Sequence, residues 1–379
     1  MTAETVLSNA RIVLADEIVE GSLVLRDGLI AGIDAGAART GEDMSGDYVI
    51  PGLVELHTDH LEGHYAPRPK VRWNPIAAVL AHDAQVATAG ITTVLDALRV
   101  GMDEDADLTL ADIRKLADAI EDSVAQDRLR ADHFLHLRCE VSAPDCLQAF
   151  ANFDQDDRVK LASLMDHAPG QRQFVNLETY AYYYQRKLKL TDRDFKLFCE
   201  KRMAESARYS APNRAVIAAA CQERGIVLAS HDDATSSHVD EAIEQGVRVA
   251  EFPTTEEAAR ASKAAGLGVL MGAPNVMRGA SHSGNVSART LASDGLLDIL
   301  SSDYIPFSLI QSAFFLGDMV EGISLPQAVA MVSKNPAEAV GLTDRGIIEQ
   351  GRRADLVRVR VDDHVPVVRT VWRQGRRVA

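Results

Sequence analysis

The sequence has few of the features that announce a special environment. Aromatic residues make up 5% of the 379 and tryptophan occurs twice. The four cysteines, Cys139, Cys146, Cys199 and Cys221, are scattered without a C-x-x-C pair. That excludes a disulfide framework and a thiolate zinc site, and leaves four reduced packing residues. No apolar run reaches transmembrane length, and the opening "MTAETVLSNARIVLADE" lacks the basic-then-apolar order of a signal peptide, so a cytoplasmic protein without membrane contact is expected. Positive charge is also scarce: the formal net charge is -15, which argues against nucleic acid as a partner. An anionic ligand would need locally concentrated cations. No internal repeat, low-complexity segment or heptad run is found.

With 46% hydrophobic residues, the chain has enough apolar material for one large domain with a smaller companion, and is compatible with a homo-oligomer. The first fifty residues read as short strands divided by Gly and Asp turn signals, and the tail repeats that texture in "RADLVRVRVDD" and "VPVVRTVWRQGRRV". Each end is too short for a core of its own. One small β-sandwich built from both termini (1–50 and 346–379) is therefore expected. Between them, apolar strand candidates at 49–57, 91–97, 133–140, 158–166, 225–230, 247–252, 267–273 and 296–302 alternate with helical stretches, which predicts an α/β fold, a (β/α)8 barrel over 51–345.

Ligand-type side chains collect at the ends of these strands. Strand alternation in "GLVELHTD" puts Val54 and Leu56 on the helix-facing side and Glu55, His57 and Asp59 on the inner side. In "HFLHLRCE" the same rule turns His136, Arg138 and Glu140 inward. "GIVLASHDD" ends on His231, and "LLDILSSDY" on Asp303, with Ser301 on its face. "LASLMDHAPG" offers Asp166 or His167; alternation does not choose, and imidazole is favoured as the commoner ligand. Imidazoles and carboxylates with an open position let a divalent cation bring the pKa of a water near neutrality, while a further carboxylate, Asp303, takes the proton. The expected ligands are His57, Asp59, Glu140, His167, His231 and Asp303, holding one or two ions, zinc or a similar first-row metal. His60 and His64 lie in the loop after the first strand, and His82, His133, His238 and His364 read as helix, packing or surface residues.

Basic and amide side chains cluster at the same end. "APRPKVRW" supplies Arg68, "APGQRQF" Arg172, "YYYQRKLK" Lys187, and "GAPNVMRGASHSGN" Asn275, Arg278 and His282. Together they suggest a polyphosphate or similarly charged ligand. The interval from Ala168 to Glu223 is longer than a barrel connection needs. Its "YAYYYQRKLKLTDRDF" is either a lid over that anion or a tyrosine stripe packed on the barrel.

The motifs "PGLVELHTD", "ASHDD" and "SSD", with the paired terminal segments, resemble the amidohydrolase superfamily. More narrowly, "ELHTDHLEGHYAPRPKVRW", "LHLRCE", "SLMDHAPGQRQF", "EFPTTEEAARAS" and "VLMGAPNVMRGASHSGNV" resemble the diphosphatases of the carbon-phosphorus lyase pathway, almost end to end. That resemblance implies a small-molecule ribosyl triphosphate as substrate, cleaved to the 5-phosphate and pyrophosphate. It also implies that His57 and Asp59 occupy the superfamily's first-strand metal pair, that Glu140 and His231 match the third- and fifth-strand ligands, and that Asp303 matches the eighth-strand base. Two positions depart from the superfamily: no lysine stands on the fourth strand, and Glu251 replaces the sixth-strand histidine. An ordinary amidohydrolase acting on an amide or cyclic amide, and a barrel that has lost its metal, are the alternatives.

Overall fold

The computed structural model describes residues 4–36, 40–101, 108–172, 180–185, 189–281 and 284–379. Strands β1 (Glu4–Val13), β2 (Ile18–Arg26), β3 (Leu29–Ala35), β4 (Glu42–Asp43) and β5 (Tyr48–Pro51) come from the N-terminal part. The barrel follows with β6 (Leu53–Thr58), β7 (Ile91–Val100), β8 (Asp132–Glu140), β9 (Val159–Met165), β10 (Val227–His231), β11 (Val249–Glu251), β12 (Gly268–Gly272) and β13 (Ile299–Ser301). Strands β14 (Leu356–Asp362), β15 (Val365–Arg373) and β16 (Arg376–Arg377) end the chain.

Both termini enter one sheet in the order β16-β15-β14-β5-β1-β2-β3, with β4 beside β1. Leu29 of the edge strand β3 bridges back to Arg353, just before β14, and the sheet curls around a core of its own that includes Leu7, Leu23, Ile30, Leu356 and Trp372. The second sheet runs β6 to β13 in sequence order, every neighbour parallel. It nearly closes: Thr58 bridges Asp303, and the Asp303 N–H donates to the His57 carbonyl at 3.1 Å. Buried Glu55 stitches the same seam, accepting from the backbone N–H of Ser302 (2.6 Å) and of His57 (2.7 Å). Burial pushes its carboxyl up to about 7 against those bonds. Among the described residues no helix is long and apolar enough to cross a membrane.

Each of the eight strand positions read from hydrophobic patterning overlaps a strand of this barrel, although the first, 49–57, also takes in the end of β5 of the terminal sheet. Alternation also holds on β8, where Leu135, Leu137 and Cys139 pack against helices. It fails on β6. Val54 and Leu56 join an apolar layer with Leu95, Leu161, Val249 and Ile299 of the other barrel strands, which also takes in Ala337 of the helix Lys334–Ala339. The cause is irregular pairing: the β6–β7 register shifts between Leu53 and Val54 and again between Glu55 and Thr58, and each shift resets which face a side chain takes.

Above the apolar layer the strands turn sharply into their helices. Asp232, Phe252 and Asp303 all have left-handed backbones, with φ of 58°, 53° and 53° respectively. Such conformations are costly for non-glycine residues and collect at functional sites. The helices that follow β10 and β11 start on threonine caps: Thr235 accepts from the His238 N–H and Thr255 from the Ala258 N–H.

Of the long interval after β9, the described part is mostly one helix, Asp192–Arg224, begun by the Thr191 cap. Tyr180 and Tyr184 pack with Phe195 and Phe198. Neither of these two tyrosines lines the cleft described next, and residues 186–188 of the same segment lie outside the described residues.

Candidate active site

A cleft opens at the C-terminal ends of the barrel strands, where β/α barrels carry their chemistry. Its floor is set by two buried glutamates. Glu251, at the end of β11, has one carboxylate oxygen 3.2 Å from His57 Nδ1 and the other 3.1 Å from His231 Nδ1. Ser163 Oγ donates to the second oxygen at 2.6 Å. Burial would raise the Glu251 pKa, but the facing His57 and His136 and the bonds from His231 and His57 outweigh it and hold the carboxyl well below its usual range. An anionic acceptor fixes the proton of each imidazole on Nδ1 and leaves Nε2 to act as a ligand. Glu140 does the same for His167, whose Nδ1 lies 2.6 Å away. Its second oxygen takes the His167 N–H at 3.2 Å and the Ser142 hydroxyl.

The far sides of two of these rings converge. His231 Nε2 and His167 Nε2 lie 3.5 and 3.8 Å from one oxygen of Asp232. His57 stacks on His231 with ring centroids 5.7 Å apart, and Phe252 meets both rings edge-on. Asp303 completes the wall. Burial first and nearby Asp59 second raise its carboxyl above the ordinary value. A bound cation would lower it, whereas the polypeptide alone pushes the other way. This donor set suits a divalent cation: imidazoles with their tautomers fixed, plus carboxylates, on an open cavity.

Several expected residues stand elsewhere. Glu140 is buried behind His167 and does not line the cleft; the carboxylate that reaches the histidines is Asp232. Asp166 turns away, accepting from Ser206 and Ser210 of the long helix, so His167 is the one of that pair in the cleft. Asp59 lines the cleft but is engaged by Arg138, Nη1 to Oδ2 at 3.2 Å. Arg172 is a correction. It is 4% exposed and ion-paired to Asp233 and, at 2.6 Å, to Glu241, two carboxylates that neutralise it. Arg68 is exposed and is not part of the cleft wall. Lys187 and His282 lie outside the described residues. Asn275 and Arg278 do line the cleft. The Asn275 side chain holds the loop by donating to the Val286 carbonyl (3.3 Å) and accepting from the Ala288 N–H (3.0 Å).

The residue that sequence reasoning underused is Arg138. It lies in the cleft on β8 and, among the described residues, makes one ion pair, to Asp59, while its buried Nε has no hydrogen-bond partner. A guanidinium has five N–H donors, so the contact with Asp59 leaves this one with capacity for a ligand. Its inward direction was readable from alternation; its spare donors were not.

The sequence profile of the amidohydrolase family matches residues 143–379. The chain belongs to the amidohydrolase family. It is 50% identical over 377 residues, 98% of this chain and 100% of the other, to the alpha-D-ribose 1-methylphosphonate 5-triphosphate diphosphatase of Escherichia coli (strain K12). Among solved structures, this amidohydrolase is similar in fold to the N-acetyl-D-glucosamine-6-phosphate deacetylase of Mycobacterium smegmatis (TM-score 0.65, 16% identity, 99% of each chain). It is also similar to the 5-methylcytosine deaminase of Klebsiella pneumoniae (TM-score 0.66, 15% identity, 99% of this chain and 97% of that one). At those identities the likeness extends to the fold alone. As a member of this family the protein is a hydrolase.

Proposed function

We propose that this amidohydrolase cleaves a ribosyl 5-triphosphate, alpha-D-ribose 1-methylphosphonate 5-triphosphate, to the 5-phosphate and pyrophosphate in phosphonate use. The observation that carries this reading is the full-length relative, half of whose residues are shared. The cleft's cations support it: Arg138 has donors to spare, and Arg278, at the opposite wall, has no ion pair among the described residues. Neutralising a leaving pyrophosphate requires such groups, whereas an amide does not.

A cation, zinc in this reading, would be held by His57, His167, His231 and Asp232, with Asp303 beside them, and would supply Lewis acidity and a more acidic water. Glu251 and Glu140 orient the imidazoles. Asp303 accepts the proton from the attacking water and passes it out of the cleft. Asp59 aims Arg138 at the phosphoryl oxygens, and Arg278 meets the charge that develops on the departing pyrophosphate.

A panel of ribosyl tri-, di- and monophosphates and of simple and cyclic amides tests the reading. Selective turnover of the triphosphate is expected; amide turnover without it would replace the diphosphatase with an ordinary amidohydrolase.

A further inference from the structure

The helix Asp192–Arg224 has 33 residues, about 50 Å at 1.5 Å per residue, whereas the helices after β10 and β11 have 9 each. Part of that length serves the ends of β8 and β9. Arg202, Ser206, Ser210 and Asn213 recur at the three- and four-residue spacing of one helix face, and Arg202, Ser206 and Asn213 are buried there. Asn213 donates to the backbone carbonyls of Val141 (2.8 Å) and Ala143 (3.3 Å), directly after β8. Ser206 and Ser210 donate to Asp166, directly after β9 and next to His167.

Arg202 is the informative member. It is 4% exposed, its Nη2 donates to the Ser142 oxygen at 3.2 Å and lies 3.7 Å from Glu140 Oε1, and its Nη1 lies 3.5 Å from Glu205 of the same helix. The Ser142 hydroxyl, accepting from the guanidinium, donates in turn to Glu140 Oε1. Glu140 Oε2 then takes the proton of His167 Nδ1 at 2.6 Å. A continuous chain thus runs from the helix through Ser142 and Glu140 to an imidazole of the cleft. Docking alone does not account for an arginine here, because a buried apolar side chain of similar volume would hold the helix as well or better.

We propose that Arg202 is a positioning residue of the cleft: acting through Ser142 and Glu140, it holds the His167 imidazole in the orientation that presents Nε2 to the cation. The inference rests on the metal-supported reading above and adds the long helix to its machinery. With one oxygen of Glu140 fixed by the hydroxyl and the guanidinium, the carboxylate plane has one setting, and so has the direction of the bond to Nδ1.

The test uses protein stripped with a chelator and reloaded with cobalt, read without substrate by chelator competition and visible absorption. Arg202→Met, unbranched and unable to donate, is expected to weaken cobalt affinity about 10- to 100-fold and to shift the absorption bands, with the circular dichroism of the wild type. Asn213→Ala loosens the same helix and should lower the unfolding temperature while leaving affinity and bands unchanged. Wild-type affinity and spectrum in Arg202→Met would overturn the inference. So would an equal loss in Asn213→Ala, which would make helix docking alone responsible. If Arg202→Met does not fold, Ser142→Ala is used, which breaks the chain and keeps the guanidinium: a loss of about tenfold is expected, and an unchanged affinity and spectrum overturn the inference equally. Cobalt bound equally by wild type and His231→Ala would remove the metal reading and this inference with it, whereas a cleft cobalt indifferent to Arg202 removes this inference alone.

Discussion

Two buried histidine–carboxylate clusters use the same residue types to different ends. At the strand ends, both oxygens of Glu251 hold a histidine, and the far sides of His57 and His231 reach the open cleft. In the wall between β7 and the helix Pro75–Thr88, both oxygens of Asp96 likewise hold a histidine, His82 at 2.7 Å and His133 at 2.8 Å. There the far nitrogen of His133 meets a second carboxylate, Asp83, at 3.4 Å, and Asp83 is in turn bound by Arg130 at 2.9 Å. The wall chain thus closes on His133, while the cleft cluster stays open. Residue identity and burial are alike in both, so access to the far nitrogen separates a reactive site from a structural one.

Four changes sharpen that comparison. The largest effect on turnover is expected from Asp303→Asn, which keeps size but cannot take a proton: kcat should fall on the order of 100- to 10,000-fold with folding intact. Arg138→Ala should cost about 2 to 4 kcal/mol in kcat/KM for the triphosphate. The same change at Arg172 should leave kcat/KM near wild type and instead cost about 3 to 5 kcal/mol of stability in denaturant unfolding, since it strips the buried Asp233 of its partner. Glu251→Gln should weaken metal affinity about 10- to 100-fold, measured by competition with a chelator, because the imidazoles lose their anionic anchor.

The smallest effect on turnover belongs to the wall. Burial opposes charge on His133, but Asp96 and Asp83 outweigh it and raise its pKa to about 9. A folded-state pKa above the unfolded one contributes stability that is fully present below the unfolded value of about 6.5 and is lost as pH rises through the folded value. Between those limits the urea midpoint of the wild-type protein should fall with pH. His133→Asn should lower stability at pH 6 and flatten that fall, with turnover per folded molecule unchanged. A loss of turnover there would place the wall cluster in the catalytic machinery.

Much of the architecture was legible because barrel strands are short apolar runs whose ends sit at fixed places in a repeating unit. His57, His231 and Asp303 could be picked out for that reason, and all three line the cleft. What was illegible depended on long-range or irregular geometry. The register shifts of β6 reversed the facing of Val54 and Leu56. Arg172 looked like a ligand for an anion because its partners, Asp233 and Glu241, are 61 and 69 residues away. Glu251 looked like a lost metal ligand, yet its bonds to two histidines give it an orienting position that no local pattern contains. Asp232 enters the cleft through a left-handed turn, φ 58°, that sequence does not announce for an aspartate.

The central claim, metal-supported cleavage of a phosphoric anhydride in the strand-end cleft, is tested most directly by the products of a metal-reconstituted preparation given the ribosyl triphosphate. The account predicts pyrophosphate and the 5-phosphate in equal amounts, with turnover lost in stripped protein, restored by added zinc, and absent in His231→Ala. Release of orthophosphate in place of pyrophosphate, or undiminished turnover in the stripped protein and in His231→Ala, would contradict it.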